Sequence, residues 1–246
     1  MRSVVTAELR AISRRDLVPT ALSGLWMAIH FVLWISSLEH VGVLIATVLV
    51  TSSPIWTALL EIGFLKAKIT RALLIGLGAV IAGNVIIALA GGNTGVTGTN
   101  PVLGGTLAVS AAMAIAVQRT IGRGVRTRVR LVPFIWLLFS SAAFILLIIV
   151  ILTGTPITGY SEDAYFWVLM LTIFPQLIGH SSFNYALRYM PATYVSLAIQ
   201  VEPVIATLIA LLLFHEIPVP LQVIGSAVIL SGVVIATKRG TRRPAG

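Results

Sequence analysis

Eight stretches of this chain are long and apolar enough to cross a bilayer, and that property removes most of the folds open to 246 residues. A spanning helix needs about 20 mostly apolar residues to cross a hydrocarbon core roughly 30 Å thick, at a rise of about 1.5 Å per residue. The stretches run over 17–37, 41–64, 71–90, 101–121, 131–153, 164–186, 192–214 and 218–237, each bounded by charges, Gly or Pro. Composition agrees: 57% of residues are hydrophobic, 10% are charged and mean hydropathy is +1.00, where soluble domains carry roughly 25% charged residues. The expected fold is all-α, a polytopic transmembrane helix bundle of eight helices. Its connections are short, so function must reside among the helices or in a few loop residues.

The charges give an orientation. All seventeen Lys and Arg fall within or at the inner edge of 1–16, 65–70, 122–130, 187–191 and 238–246, which lie on one side if eight helices alternate from an inside N-terminus. The other side holds Glu39, Glu162, Asp163 and Glu216, with the uncharged turn Gly91-Gly92-Asn93-Thr94-Gly95. Lys and Arg in short loops stay cytoplasmic, so both termini are expected in the cytoplasm and the protein in the cell membrane. The basic balance therefore serves topology, and no nucleic-acid partner is expected. Residues 1–16 lack the apolar region and cleavage site of a secretory signal and read as a cytoplasmic juxtamembrane segment.

Several chemistries have no support. Cysteine is absent, which excludes disulfides, thiolate metal sites and thiol catalysis. No Gly-x-x-x-x-Gly-Lys-Ser/Thr loop or His-Glu-x-x-His motif occurs, and no nucleophile–base constellation is visible. The chain is not expected to be an enzyme or to carry a cofactor or metal.

Self-comparison at an offset of 149 residues pairs Trp34, Leu38, Pro54, Gly76 and Gly83 with Phe183, Leu187, Pro203, Gly225 and Gly232. Spans one to three thus correspond to spans six to eight. Matched spans are five apart, an odd number, so each runs opposite to its counterpart across the bilayer. Such inverted repeats underlie many secondary transporters, because two similar halves of opposite sense can expose one central site to either side.

The run Gly179-His180-Ser181-Ser182-Phe183-Asn184-Tyr185-Ala186-Leu187-Arg188-Tyr189, then Glu202-Pro203, His215-Glu216-Ile217-Pro218 and Gly225 to Gly232, closely resembles the second repeat of EamA-type transporters in the drug/metabolite transporter superfamily. The resemblance implies ten helices in two five-helix repeats, and a role in export. Here 101–238 is similar to a complete repeat, and 17–91 to the last three helices of a first one. Residues 92–100 form an outer loop and 239–246 a basic cytoplasmic tail. The first helix pair is thus expected to be missing, and the acidic residue typical before each repeat's last helix is Glu216 in one half but Ala67 in the other.

Ionisable groups inside a bilayer are costly and mark function by default. Glu202, followed by Pro203, is expected deep in the seventh span, where it is suited to proton coupling. Gln176, His180, Asn184 and Arg188 recur every four residues along the sixth span, as a cavity wall for a polar substrate or as an interhelical seam. Trp26, His30 and Trp34 place an imidazole between two indoles on the first span, as a substrate wall or a packing stripe. Pro54, Pro175 and Pro203 are expected hinges, and Glu61, near Lys66 and Lys68, reads as a surface charge pair.

The expectation is a secondary transporter that exports a small polar metabolite or drug-like compound by alternating access. Its partners are the lipid bilayer, the small-molecule substrate and a coupling proton, with a homodimer packed through a Gly-rich face such as 76–83. The alternative is a truncated or partner-dependent membrane protein with no transport activity on its own.

Overall fold

The computed structural model describes residues 12–67, 70–90, 100–215 and 217–238. The Gly91–Gly95 turn, Lys68, Glu216 and the tail from 239 onward lie outside the described residues. Among the described residues every regular element is helical: α1 (Arg14–Leu38), α2 (Val43–Val50), α3 (Ser53–Leu65), α4 (Arg71–Ala90), α5 (Pro101–Arg126), α6 (Leu131–Thr153), α7 (Glu162–Ala186), α8 (Ala192–Ile199), α9 (Glu202–Phe214) and α10 (Pro220–Lys238). Eight spans have the length and hydropathy to cross a membrane, α2–α3 and α8–α9 each contributing one.

Two ends differ from the sequence expectation by more than two residues, for local reasons. Helix α1 takes in Arg14, Arg15 and Asp16, because Ser13 Oγ accepts from the Asp16 backbone N–H at 3.3 Å and donates to its carboxylate at 2.9 Å, a reciprocal cap. Helix α5 runs on to Arg126 because Arg123 and Arg126 find carbonyl partners there.

The chain divides into two compact units, 1–29 with 117–191, and 30–116 with 192–246. In the first, α1 meets α6 through Gly24, where an added Cβ would lie 2.5 Å from Leu138 O and 2.6 Å from Ser141 Cβ. Phe134, Leu138 and Ala142 of α6 are buried, while α7 turns Phe166, Trp167, Leu171 and Phe174 outward. Exposed aromatic and aliphatic side chains on a spanning helix face lipid, which solvates them as well as a protein core would. The middle of α7, Thr172–His180, is wound as a π-helix around Pro175, whose ring and missing N–H disrupt the α-helical ladder.

In the second unit the offset of 149 recurs at the level of single turns. Val43–Val50 matches Ala192–Ile199, and Ser53–Leu65 matches Glu202–Phe214. Among described residues the non-glycine positions with positive φ are Lys66 (53°) and His215 (57°), which are also 149 apart. Both broken spans are interrupted one turn before a proline, Pro54 or Pro203, where the missing N–H leaves the carbonyl of Val50 or Ile199 without its helical donor. The chain bridges each gap with tight bonds to the third residue back, Ser52 N to Leu49 O at 3.1 Å and Val201 N to Ala198 O at 3.2 Å.

Helices α4 and α10 are antiparallel partners. Gly76 packs on Gly232 and Gly83 on Gly225, so each glycine meets the counterpart of the other, as two repeats related by a two-fold axis must. Small residues let the backbones approach closely, which is how spanning helices gain dispersion energy without a hydrophobic driving force. The Gly76 and Gly83 face expected to mediate dimerisation is therefore occupied within the chain. Around this pair Leu73, Leu77, Val80, Leu197, Val204, Ile229 and Ala236 form the core.

Candidate functional site

The second unit builds a polar seam where its two broken helices cross. Gln200, at the end of α8, donates from Nε2 to the carbonyl of Thr51 at 2.5 Å, and Thr51 is the C-cap of α2. These two positions are 149 residues apart, so the repeat counterparts touch each other at the breaks. Helix α2 has 8 residues, which at about 1.5 Å per residue puts its break about 12 Å from one end of the span. Helix α8 also has 8 residues and starts from the opposite end, so in a core roughly 30 Å thick both breaks lie within a few ångströms of the midplane. Non-helical backbone at that depth is tolerated where protein or a cavity satisfies it, and broken helices in transporters commonly mark the binding region.

Glu202 is the first residue of α9 and is exposed. It follows the break directly, whereas a position near the middle of an unbroken helix was expected. Proline explains this, because Pro203 cannot sit inside a continuous helix without losing a bond but is tolerated in the first turn. The carboxylate thus stands at the N-terminal end of α9. Its counterpart Ser53 opens α3 in the same way but is buried.

In the same unit His30 is 7% exposed and its Nδ1 lies 2.9 Å from the carbonyl oxygen of Ala111. A carbonyl only accepts, so Nδ1 carries the proton. The imidazole stacks on Trp34, 6.2 Å between centroids and 11° between planes, and the Trp34 indole N–H is buried without a hydrogen-bond partner. Trp26, expected on the same stripe, is half-buried and belongs to the first unit.

Gln176, His180 and Asn184 also belong to the first unit. Asn184 is 2% exposed and both ends of its amide are used: Nδ2 donates to His180 O at 2.7 Å, and Oδ1 accepts from Gln118 Nε2 at 3.3 Å. Gln118 Nε2 also lies 3.3 Å from Ser23 Oγ, which in turn donates to the Gln118 carbonyl. Arg126, 1% exposed, donates from Nε to Asn184 O at 2.9 Å and from its terminal nitrogen to Val129 O, with its guanidinium 5.9 Å from the Phe134 ring centroid. Arg123 donates to the carbonyls of Leu187 and Arg188 at 2.7 and 2.9 Å. These arginines satisfy carbonyls at the end of α7 that have no helical partner. His180 and Gln176 are half-buried, with the His180 ring edge-on to Phe183.

Sequence reasoning missed Glu61. Its expected surface pairing with Lys66 and Lys68 is overturned: the side chain is 3% exposed and binds Ala192 N, Thr193 N and Thr193 Oγ1 at 2.7, 3.0 and 2.6 Å. The available signal was an acid inside an otherwise apolar stretch. Gln118, Gln200 and Arg126 were likewise passed over, since nothing local distinguishes a buried amide or guanidinium from one at a helix end.

The chain matches the model of the EamA-like transporter family over residues 6–89 and 102–238. It is similar to a protein of Streptantibioticus cattleyicolor named "Probable terminal-alkyne amino-acid exporter", 26% identical over 94% of this chain and 77% of the relative. It is also similar to a Bacillus subtilis protein named "Uncharacterized transporter YxxF", 22% identical over 92% of this chain and 72% of that one. A crystal structure at 18% identity shares the fold, with a TM-score of 0.72 over 96% of this chain and 91% of the other. With most of both segments matched and eight spans in the structure, the chain belongs to the EamA-like transporter family and is a multi-pass membrane transporter.

Proposed function

We propose that this transporter is a secondary exporter of a small, polar, amino-bearing metabolite, working across the cell membrane by alternating access with both termini in the cytoplasm. The observation that carries the reading is the meeting of two oppositely directed helix breaks near the bilayer midplane, Gln200 against Thr51. A pair of related helices broken at the same depth gives a region whose backbone polarity serves a substrate from either side. The recurrence of helix ends at an offset of 149 supports division into repeats at 17–91 and 101–238. Orientation rests on the one-sided placement of Lys and Arg.

Glu202, exposed beside the break, is the group proposed to hold a proton or the substrate's ammonium in turn. The amino-acid exporter among the relatives favours that substrate class. In the second unit His30 and Trp34, and in the first unit Trp26, Gln176, His180 and Asn184, are proposed as substrate-contacting residues, and Pro54, Pro175 and Pro203 are proposed to act as hinges. The test is counterflow in proteoliposomes with an amino-acid mixture and an imposed pH gradient. Counterflow in the wild type that falls at least tenfold in Glu202→Gln supports the reading; no flux from folded, inserted protein with any substrate refutes it.

A further inference from the structure

We infer that Glu61 is a latch that fastens one end of the second unit, holding α3 to α8 and biasing the transporter toward the state open at the other end. The inference rests on the alternating-access reading above and adds to it a residue and a direction. Glu61 joins two helix termini. Its own carbonyl accepts from the N–H groups of Lys66 and Ala67, which close the C-terminal turn of α3. Its side chain crosses to α8, with Oε1 accepting from Ala192 N and Oε2 from Thr193 N and Thr193 Oγ1. The first N–H groups of a helix have no intrahelical acceptor, and a carboxylate placed there also gains from the helix dipole. Further along the same pair, Thr57 Oγ1 and Ser196 Oγ lie 3.1 Å apart, both residues fully buried, so the two helices are joined at two levels.

The repeat makes the asymmetry visible. The counterparts of α3 and α8 are α9 and α2, and the residue 149 positions after Glu61 is Ala210, which has no carboxylate. Among the described residues α3 packs along α8. The Glu61 end of this crossing is thus closed and fastened by a carboxylate that the counterpart position does not carry. By the charge distribution the fastened end is the cytoplasmic one. Opening it requires the three hydrogen bonds to the Glu61 side chain to be exchanged for water, and an alanine at position 210 can make no such bonds.

The chain has no cysteine, so a single Ser196→Cys reports on the closed end without background. Its labelling by a membrane-impermeant thiosulfonate is measured in vesicles of both orientations, together with amide hydrogen exchange at Ala192 and Thr193. Removal of the latch by Glu61→Ala is expected to speed labelling from the cytoplasmic side and exchange of both amides at least tenfold. Thr193→Val, which deletes one of the three bonds, is expected to give a two- to fivefold change, and it carries the test if Glu61→Ala is not monodisperse. Unchanged labelling and exchange in a folded variant overturns the latch. Neither readout needs substrate: faster labelling in a protein that shows no counterflow keeps the latch and sinks the transport reading, and counterflow with unaltered labelling does the reverse.

Discussion

Replacing Gly83 with alanine tests whether the α4–α10 contact holds the second unit together. A Cβ at Gly83 would lie 2.7 Å from Gly225 O and 2.9 Å from Ile229 N, both backbone atoms that no rotamer change can move. A relaxed C···O contact is about 3.3–3.6 Å, so the helices must part locally by about 0.6 Å, and overpacking of that kind costs about 1–3 kcal/mol. Alanine also has a higher helix propensity than glycine, by roughly 0.5–1 kcal/mol, which masks part of the effect. Gly78 of the same helix supplies the correction, because an added Cβ there meets nothing within 4 Å. The difference in unfolding free energy between Gly83→Ala and Gly78→Ala cancels propensity and isolates packing, and about 1–3 kcal/mol is expected. Reversible unfolding in mixed micelles by titration with dodecyl sulfate, followed by tryptophan fluorescence, measures it. Adding Gly225→Ala to Gly83→Ala should cost less than the sum of the single changes, since both press on one contact. Two alanine variants of equal stability would refute the close approach of these helices.

Gln118→Leu removes a buried link between Ser23 and Asn184 and should lower stability by about 1–2 kcal/mol while leaving substrate affinity in counterflow unchanged. Arg126→Met strands the carbonyls of Asn184 and Val129 and should cost more, about 3 kcal/mol, read in the same titration. Pro203→Ala restores the N–H that Ile199 O lacks, so it should straighten the α8–α9 break and reduce counterflow at least tenfold without loss of expression. Gln200→Leu breaks the bond to Thr51 and is expected to cost about 0.6–1.7 kcal/mol, with a larger proportional loss of transport than of stability.

How much was legible follows from the range of the signal. A span is a local property, and the start of α4 and both ends of α6 lie where hydropathy and charge place them, at Arg71, Leu131 and Thr153. The ends that moved furthest, at Arg14 and Arg126, are those where a side chain reaches an otherwise unpaired backbone group. The candidate site was read less completely. Glu202 drew notice because a carboxylate in an apolar stretch is conspicuous, yet the break that puts it at a helix start had to be seen in the backbone. Glu61 was equally conspicuous and was misread, because its nearest charges in sequence are Lys66 and Lys68 while its partners lie 131 and 132 residues away.

The sequence alone therefore determined the number of apolar spans, their all-helical character, the gathering of basic residues in alternate connections and the internal offset of 149, since each depends on which residues are present and in what order. Tertiary structure alone decided that Gly76 meets Gly232, that Gln200 meets Thr51, and that Glu61 closes the start of α8. A polar group withdrawn from water must find some partner, but which one it finds is set by where folding brings distant helices together.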